Sequence, residues 1–248
     1  MIHSSKAVKS SDEISKIESA CKLGDKTFSY ILKKIHLGIT EKEVAQEINS
    51  FIKKNGAKPS FPTIVAFGKN STNIHNIPTN NKLTKNQIIL LDFGVKINGY
   101  CSDMTRTIFS GKPTHKQKHM YETVLNAQQK AIDFIAKHSN DMYHYSGNKK
   151  IVKILKAKSV DNVARLYIKS KGYPSIPHSL GHGIGKKVHE AFRISPKSKI
   201  YLKEGMVFSV EPGIYLSGFG GVRIEDLVVL KKTGPRLLTH SPKNIIVL

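Results

Sequence analysis

Three imidazoles fall within the run His178-Ser-Leu-Gly-His182-Gly-Ile-Gly-Lys-Lys-Val-His189-Glu190. Histidine is the commonest metal ligand and the usual proton carrier near neutral pH. The small residues Ser179, Gly181, Gly183 and Gly185 separate the rings, and a glycine lets backbone or substrate approach without a Cβ in the way. Such a run is poor helix. Taken alone it reads equally well as an active-site wall or as a histidine-containing loop.

Acidic residues elsewhere shift that balance. Asn98-Gly99 is a strong two-residue hairpin signal. With it as the turn, Ile97 pairs with Tyr100, Asp92 falls opposite Thr105, and Asp103 lies diagonal to Asp92 on the same face. Two carboxylates on one sheet face repel unless a cation lies between them. Glu211 and Glu225 each follow a strand-like apolar run, Val-Phe-Ser-Val and Gly-Val-Arg-Ile, where an unpaired buried carboxylate is costly. Only eighteen residues are acidic, so four of them set among the most apolar strands are not surface decoration. Four carboxylates and an imidazole suit two hard-to-borderline divalent ions such as Mn²⁺, Co²⁺, Fe²⁺ or Zn²⁺. An ion pair of that kind readies a water for attack on a carbonyl, which is hydrolysis chemistry.

The elements that must position these groups follow from periodicity. Residues 12–35 have helical spacing, and Thr40-Glu-Lys-Glu43 is a capping box opening a second helix that Gly56 closes. Thr63–Phe67 reads as a strand and 68–78 as an irregular loop carrying His75. Strands at 88–93 and 100–109 flank the Asn98-Gly99 turn. Helical spacing returns over 114–137, a polar aperiodic insertion follows at about 138–150, and Ser159 is the expected cap of a helix closed by Gly172. The last third is β-like over 206–211, 213–216, 221–230 and 244–248. A faint repeat relates Thr40-x3-Val-Ala…Ile-Lys-Lys-x-Gly-x2-Pro-Ser60 to Ser159-x3-Val-Ala…Ile-Lys-Ser-Lys-Gly-x-Pro-Ser175. It suggests two helix-plus-sheet halves, about 10–112 and 113–248, with a site between them.

The order Asp–Asp–His–Glu–Glu, in DFGVKINGYCSDMTRT, HSLGHGIGKKVHE, SVEPGIY and GVRIEDLVV, resembles the M24 metallopeptidases over about residues 10–248. The resemblance implies a single α+β catalytic domain, 1–248, of the pita-bread fold: two pseudo-symmetric αα-β halves around a central curved antiparallel sheet. It implies that Asp92, Asp103, His182, Glu211 and Glu225 ligate two divalent ions, with Asp103 and Glu225 bridging them. Glu211 is then also the general base, His189 binds the scissile carbonyl and stabilises the tetrahedral intermediate, and His75 contacts the N-terminal end of the substrate or shuttles protons. His178 and Arg223, together with SFPTIVAFGKNSTNIHNIP, are similar to the proline-specific branch, which implies that His178 joins the catalytic and substrate-binding groups and Arg223 the substrate-binding ones. The expected activity is therefore an aminopeptidase acting on Xaa-Pro peptides. Methionine aminopeptidase is the alternative, because proline-specific members usually carry a further N-terminal domain and this chain has the length of the lone catalytic domain. An inactive module that binds RNA or protein is a third reading, disfavoured because all five ligand positions are filled.

Composition sets the outer bounds. A chain of 248 residues can bury a sizeable core, no apolar run is long enough for a membrane span, and the N-terminus has no apolar signal region. Cys21 and Cys101, the two cysteines, suit a reducing compartment, so a cytoplasmic location is expected. The net charge is +22, but only Arg106, Arg165, Arg193, Arg223 and Arg236 are arginines, whereas nucleic-acid readers lean on arginine for bidentate contacts. The scattered lysines imply a solvated basic surface with weak nonspecific RNA or ribosome contact. The expected partners are peptide substrates, with no membrane, in a monomer or homodimer. Arg106, beside Asp103, is read as structural, orienting a ligand carboxylate.

Overall fold

The computed structural model describes residues 7–139, 144–146, 149–151, 155–190 and 192–248. Helix α1 (Ser11–Ile31) starts at Ser10, whose hydroxyl accepts the Glu13 amide while the Glu13 carboxylate returns to the Ser10 amide. Helix α2 (Glu41–Lys54) starts at Thr40 with the same reciprocal pair to Glu43, as its sequence predicts. Gly56, at φ +73°, turns the chain away from α2. Helix α3 spans His115–Ser139 and α4 spans Ala157–Ser170. The expected Ser159 cap lies inside the first turn of α4. Fully buried Ala157 bonds its amide to the Ile200 carbonyl, and that packing starts the helix earlier than the serine signal.

Strands β1 (Ile64–Phe67), β2 (Ile88–Phe93) and β3 (Met104–Phe109) form an antiparallel sheet in which Asp92 stands opposite Thr105, the predicted register. Asn98 and Gly99 adopt φ 52° and 79° and Ile97 pairs with Tyr100, so the turn forms as predicted. The hairpin is not continuous, however. Its outer part, Val95–Ile97 and Tyr100–Cys101, joins Lys58–Pro59 in a separate ladder, and Asp103 occupies the break.

Strand β4 (Gly181–His182) pairs with Arg193–Ile194. Strand β5 (Val207–Val210) pairs with β8 (Asp226–Lys231), which pairs with β9 (Gly234–Leu237). Strands β6 (Gly213–Leu216) and β7 (Gly220–Arg223) form their own hairpin. The strand expected over 221–230 is thus cut between β7 and β8. There the Ile224 amide bonds to the Pro212 carbonyl and the Glu225 amide crosses to the Thr105 carbonyl, leaving Glu225 between the two ladders. The 244–248 stretch is not a regular strand. It lies along the end of β3 through Phe109 N to Ile246 O and Leu248 N to Phe109 O, with one bridge at Val247.

The architecture is α+β. The expected central sheet is represented by separate ladders, and β3 meets the end of β7 and the break before β8 along a seam where Thr105 and Thr107 contact residues 223–225. α1 and α2 bury Phe28, Ile31, Ile48 and Ile52 against Val65, Ile89 and Leu91 on one side. α3 and α4 bury Val124, Ile135, Val160 and Ile168 with Phe208, Val210 and Val228 on the other. Within the expected 138–150 insertion, His138 and Ser139 finish α3, and His144–Ser146 pairs with Lys149–Ile151. The rest of that stretch lies outside the described residues. No helix among the described residues is long and apolar enough to cross a membrane.

Candidate metal centre and active site

Each candidate ligand enters from a different element at or beside the seam. Asp92 is the next-to-last residue of the fully buried strand β2, Asp103 sits in the hairpin break, His182 ends β4, Glu211 follows β5, and Glu225 fills the gap between β7 and β8. All five line one cavity of about 660 Å³. His182 Nε2 lies 3.4 Å from Asp103 Oδ2 and 3.3 Å from Glu211 Oε1. Ligand atoms of Asp103, His182 and Glu225 all fall within 4.8 Å of one another. Strand β4 can press against β5 because residue 181 is glycine: a Cβ there would stand 1.9 Å from the Ser209 carbonyl oxygen. That contact brings the His182 amide to Ser209 Oγ (3.0 Å), and the same hydroxyl donates to Glu211 Oε1 (3.0 Å). One serine therefore orients two members of the cluster.

Glu225 and Asp92 are held in the same way. Thr105 Oγ1 donates to Glu225 Oε2 at 2.7 Å. Arg223, 2% exposed, donates to Asp92 Oδ2 at 2.5 Å, to the Tyr215 hydroxyl at 2.9 Å and to Thr105 Oγ1 at 3.1 Å. His178 Nε2 meets the far side of that Tyr215 hydroxyl at 2.9 Å. The imidazole thus reaches Asp92 through Tyr215 and Arg223, while its Nδ1 faces the Ser179 carbonyl. Arg106 does not touch Asp103. It pairs with Asp226 at 2.6 Å and donates to the Glu225 carbonyl, fixing the backbone of a candidate ligand rather than its carboxylate. His189 stands edge-on to His182, ring centres 4.4 Å apart, and lines the cavity together with His75, Arg223 and Lys186. Ser209, Thr105 and Tyr215 carried no signal in the sequence, since a strand hydroxyl looks the same whether it faces a core or a carboxylate.

The electrostatics call for a cation. Burial raises Asp92 to about 6, with Arg223 pulling it down and Asp103 pushing it up. Burial lifts Glu211 to about 7 against the pull of His182. Burial, reinforced by Asp103, Glu211 and Asp92, holds Glu225 far above the ordinary carboxylate range. Burial alone would lower His182, but the Asp103 and Glu211 carboxylates raise it overall. His178 falls to about 4 through burial and the facing Arg223 charge, so it is a neutral ring at pH 7. Burial and the neighbouring His182 also lower His189. Among the described residues, the buried side-chain oxygens without a hydrogen-bond partner are Asp92 Oδ1, Asp103 Oδ1 and Glu225 Oε1. Buried polar atoms in native proteins are almost always satisfied, and here the three exceptions come from three candidate ligands lining one cavity. Oxygen donors with one imidazole are a fitting donor set for Mn²⁺, Co²⁺, Fe²⁺ or Zn²⁺.

Comparison with known proteins agrees with this geometry. The chain is 39% identical over 241 residues to an Xaa-Pro dipeptidase of Pyrococcus furiosus, covering 96% of this chain and 65% of that protein. Among solved structures, an Xaa-Pro dipeptidase from Bacillus anthracis superposes with a TM-score of 0.88 at 37% identity, covering 98% of this chain and 64% of that one. An X-Pro aminopeptidase from Thermotoga maritima does so with the same TM-score and identity, over 98% and 65%. The chain spans just under two thirds of the length of these relatives. The model of metallopeptidase family M24 matches residues 15–232, and with relatives this similar along nearly its whole length, the chain belongs to that family.

Proposed function

We propose that this protein is a divalent-metal-dependent peptidase that hydrolyses the bond before proline, with Xaa-Pro dipeptides as its substrate class. The observation that carries the hydrolytic reading is the set of three orphaned carboxylate oxygens from Asp92, Asp103 and Glu225 around one cavity. The proline preference rests on similarity to the Xaa-Pro dipeptidase of Pyrococcus furiosus. Those relatives favour a dipeptidase over the aminopeptidase expected from the sequence, and the similar Thermotoga maritima X-Pro aminopeptidase keeps longer peptides as the second reading. The reading includes one catalytic domain over the whole chain, with pseudo-symmetric halves facing across the cavity.

In this proposal Asp92, Asp103, His182, Glu211 and Glu225 would hold the divalent ions. Such ions polarise a carbonyl and make a nucleophilic water available near neutral pH. The chain's own groups do the rest. Glu211, in the same cavity as the other candidate ligands, is placed to take a proton from the attacking water and pass it to the leaving nitrogen. His189, lowered by burial and by His182, is neutral at pH 7 and offers an N–H to the oxygen where charge develops. Arg223 keeps Asp92 ionised, Tyr215 fixes the guanidinium, and His178 fixes Tyr215. His75 and the exposed Ile77 stand on the rim where the rest of the substrate lies.

The test is hydrolysis of Ala-Pro, Ala-Pro-Ala and Met-Ala-Ser by the purified protein supplied with Mn²⁺ or Co²⁺. Release of alanine from Ala-Pro, abolished by chelator and restored by metal, is the expected result. Preferential cleavage of Ala-Pro-Ala makes it an aminopeptidase, and release of methionine alone removes the proline assignment. No chelator-sensitive cleavage of any peptide rejects the enzyme.

A further inference from the structure

The rim of the cavity is a loop, residues 68–81, that contributes Ile74, His75, Asn76, Ile77 and Pro78 to the wall. Most of it has no regular structure, and Ile77 is 80% exposed. A free loop of that length would sample many positions and hold no substrate group in place. A single buried carboxylate, Glu41, grips both of its ends.

Glu41, the first residue of α2, is fully buried. Its Oε1 accepts the Phe67 amide at 2.8 Å and Asn70 Nδ2 at 2.9 Å, where the chain enters the loop. Its Oε2 accepts the Thr79 amide at 2.9 Å and the Thr79 hydroxyl at 2.7 Å, where the chain leaves it. Asn81 Nδ2 adds a longer contact at 3.4 Å. Two backbone bonds, Glu41 N to Asn81 O and Lys42 N to Thr79 O, run alongside. No neutral side chain can accept this many donors, because only an ionised carboxylate is acceptor on both oxygens. Burying one without such pairing is costly. The far side of the loop is fixed separately. The Gly221 amide donates to Ser71 Oγ at 2.7 Å, and a Cβ at 221 would stand 2.2 Å from the Ser71 carbonyl oxygen. The loop is therefore pinned between α2 and the strand that carries Arg223, and Asn76 ties its middle to the Val65 carbonyl.

We infer that Glu41 is a positioning residue: by joining the two ends of the 68–81 loop it sets the height of the His75–Ile77 rim over the cavity, and through it the affinity for substrate. The inference rests on the peptidase reading of the same cavity. It assigns Glu41 no part in the bond-breaking step, since it touches none of the candidate ligands.

The experiment is the substitution Glu41→Gln, read against His75→Ala and the double variant, with Ala-Pro as substrate and metal supplied. Glutamine keeps one acceptor oxygen and turns the other into a donor, so one end of the loop is released while the shape is retained. Amide exchange is expected to rise over residues 67–81 and stay at the wild-type level in β2, β3 and β5. KM is expected to rise about tenfold, the equivalent of one lost net hydrogen bond, with kcat and bound metal unchanged. In the double variant KM is expected to match His75→Ala alone, because both act through the same rim. A uniform rise in exchange with loss of metal overturns the inference, as does an unchanged KM in Glu41→Gln, as does full additivity where His75→Ala itself raises KM. An unchanged KM in His75→Ala beside a raised one in Glu41→Gln keeps Glu41 as the rim clamp and moves the substrate contact from His75 to its apolar neighbours. Absence of any peptide hydrolysis by the wild-type protein is the separate failure of the peptidase reading.

Discussion

Arg223→Met is the most informative single change, because it tests the electrostatic design with no metal present. The guanidinium is 2% exposed and is the hydrogen-bond partner of Asp92, whose other oxygen, Oδ1, has none. Methionine is close in length and fills the space, so what is lost is charge and donors. Removing one partner of a buried ion pair costs about 3–5 kcal/mol. That cost has a pH dependence with a definite sign. Asp92 is already raised from 3.8 to about 6 while Arg223 pulls it down. In the wild type, a raised folded-state pKa means a penalty that grows as pH climbs from about 4 to about 6 and is then constant. Without Arg223 the folded-state pKa moves higher still, so the penalty goes on growing above pH 6 at about 1.4 kcal/mol per pH unit. Well below pH 6 the carboxyl is protonated in both proteins, and what separates them is the burial of the guanidinium and its bonds to Tyr215 and Thr105.

The assay is urea unfolding of chelator-treated wild type and variant at pH 5, 6, 7 and 8, compared at equal slope. The stability gap is expected to be smallest at pH 5 and to widen by about 1–3 kcal/mol toward pH 8, in line with that per-unit cost. Adding Mn²⁺ at pH 8 is expected to narrow it, because a cation against Asp92 Oδ1 does part of the work of the guanidinium. A gap independent of pH, or one that shrinks as pH rises, refutes the claim that Arg223 is there to keep Asp92 ionised.

Three further outcomes follow from the same geometry. Asp103→Asn is expected to reduce hydrolysis to background and lower bound metal, while the chelator-treated protein melts within a few degrees of wild type, because the change also removes a repelling charge; metal analysis and a melting curve check both. His189→Ala is expected to lower kcat about 10²–10³-fold, the usual worth of one donor to a developing oxyanion, with metal content unaltered in the same analysis. Gly185→Ala places a Cβ 2.6 Å from Glu190 Oε1, a carboxylate that also accepts the Lys186 amide and pairs with Lys9. Displacing that carboxylate shifts the neighbouring His189, so kcat is expected to fall more than KM rises in steady-state assays on Ala-Pro.

The sequence was most legible where one local rule decided the outcome. The Asn98-Gly99 turn dictated that Asp92 would face Thr105, because side-chain alternation leaves no other register once a two-residue turn is chosen. The Thr40 capping box marked where α2 begins. The readings that failed were those in which a distant partner overrode the local pattern. The apolar run 221–230 looked like one strand, yet Thr105 takes the Glu225 amide and splits it. Residues 244–248 are an apolar, β-branched run like a strand, yet their backbone ladders only with the end of β3. Ser159 looked like a cap, but burial of Ala157 moved the start of α4. Within the site, the chemically distinctive residues were visible from their types. The hydroxyls that aim them, at Thr105, Ser209 and Tyr215, were not, because the type of a hydroxyl residue does not say which way it faces, and a bond between residues as far apart as Thr105 and Glu225 leaves no trace in local spacing.

That division has a physical cause. A group of carboxylates that repel one another cannot be brought together by their own interactions; the scaffold must supply the free energy and hold them against mutual relaxation. Three of the candidate ligands sit at strand ends and breaks, where the backbone is anchored by a ladder on one side but the residue itself is released from pairing, whereas Asp92 and His182 are paired within β2 and β4. Asp103 occupies the hairpin interruption, Glu225 the gap between β7 and β8, and Glu211 the residue after β5. A strand interior would have pointed these side chains alternately to opposite faces, and a flexible loop would have let them drift apart. The interruptions that broke the regular-strand expectation are therefore the same features that let the cluster form, with the buried apolar runs Ile88–Leu91, Val207–Val210 and Leu227–Leu230 supplying the hydrophobic free energy that offsets its repulsion.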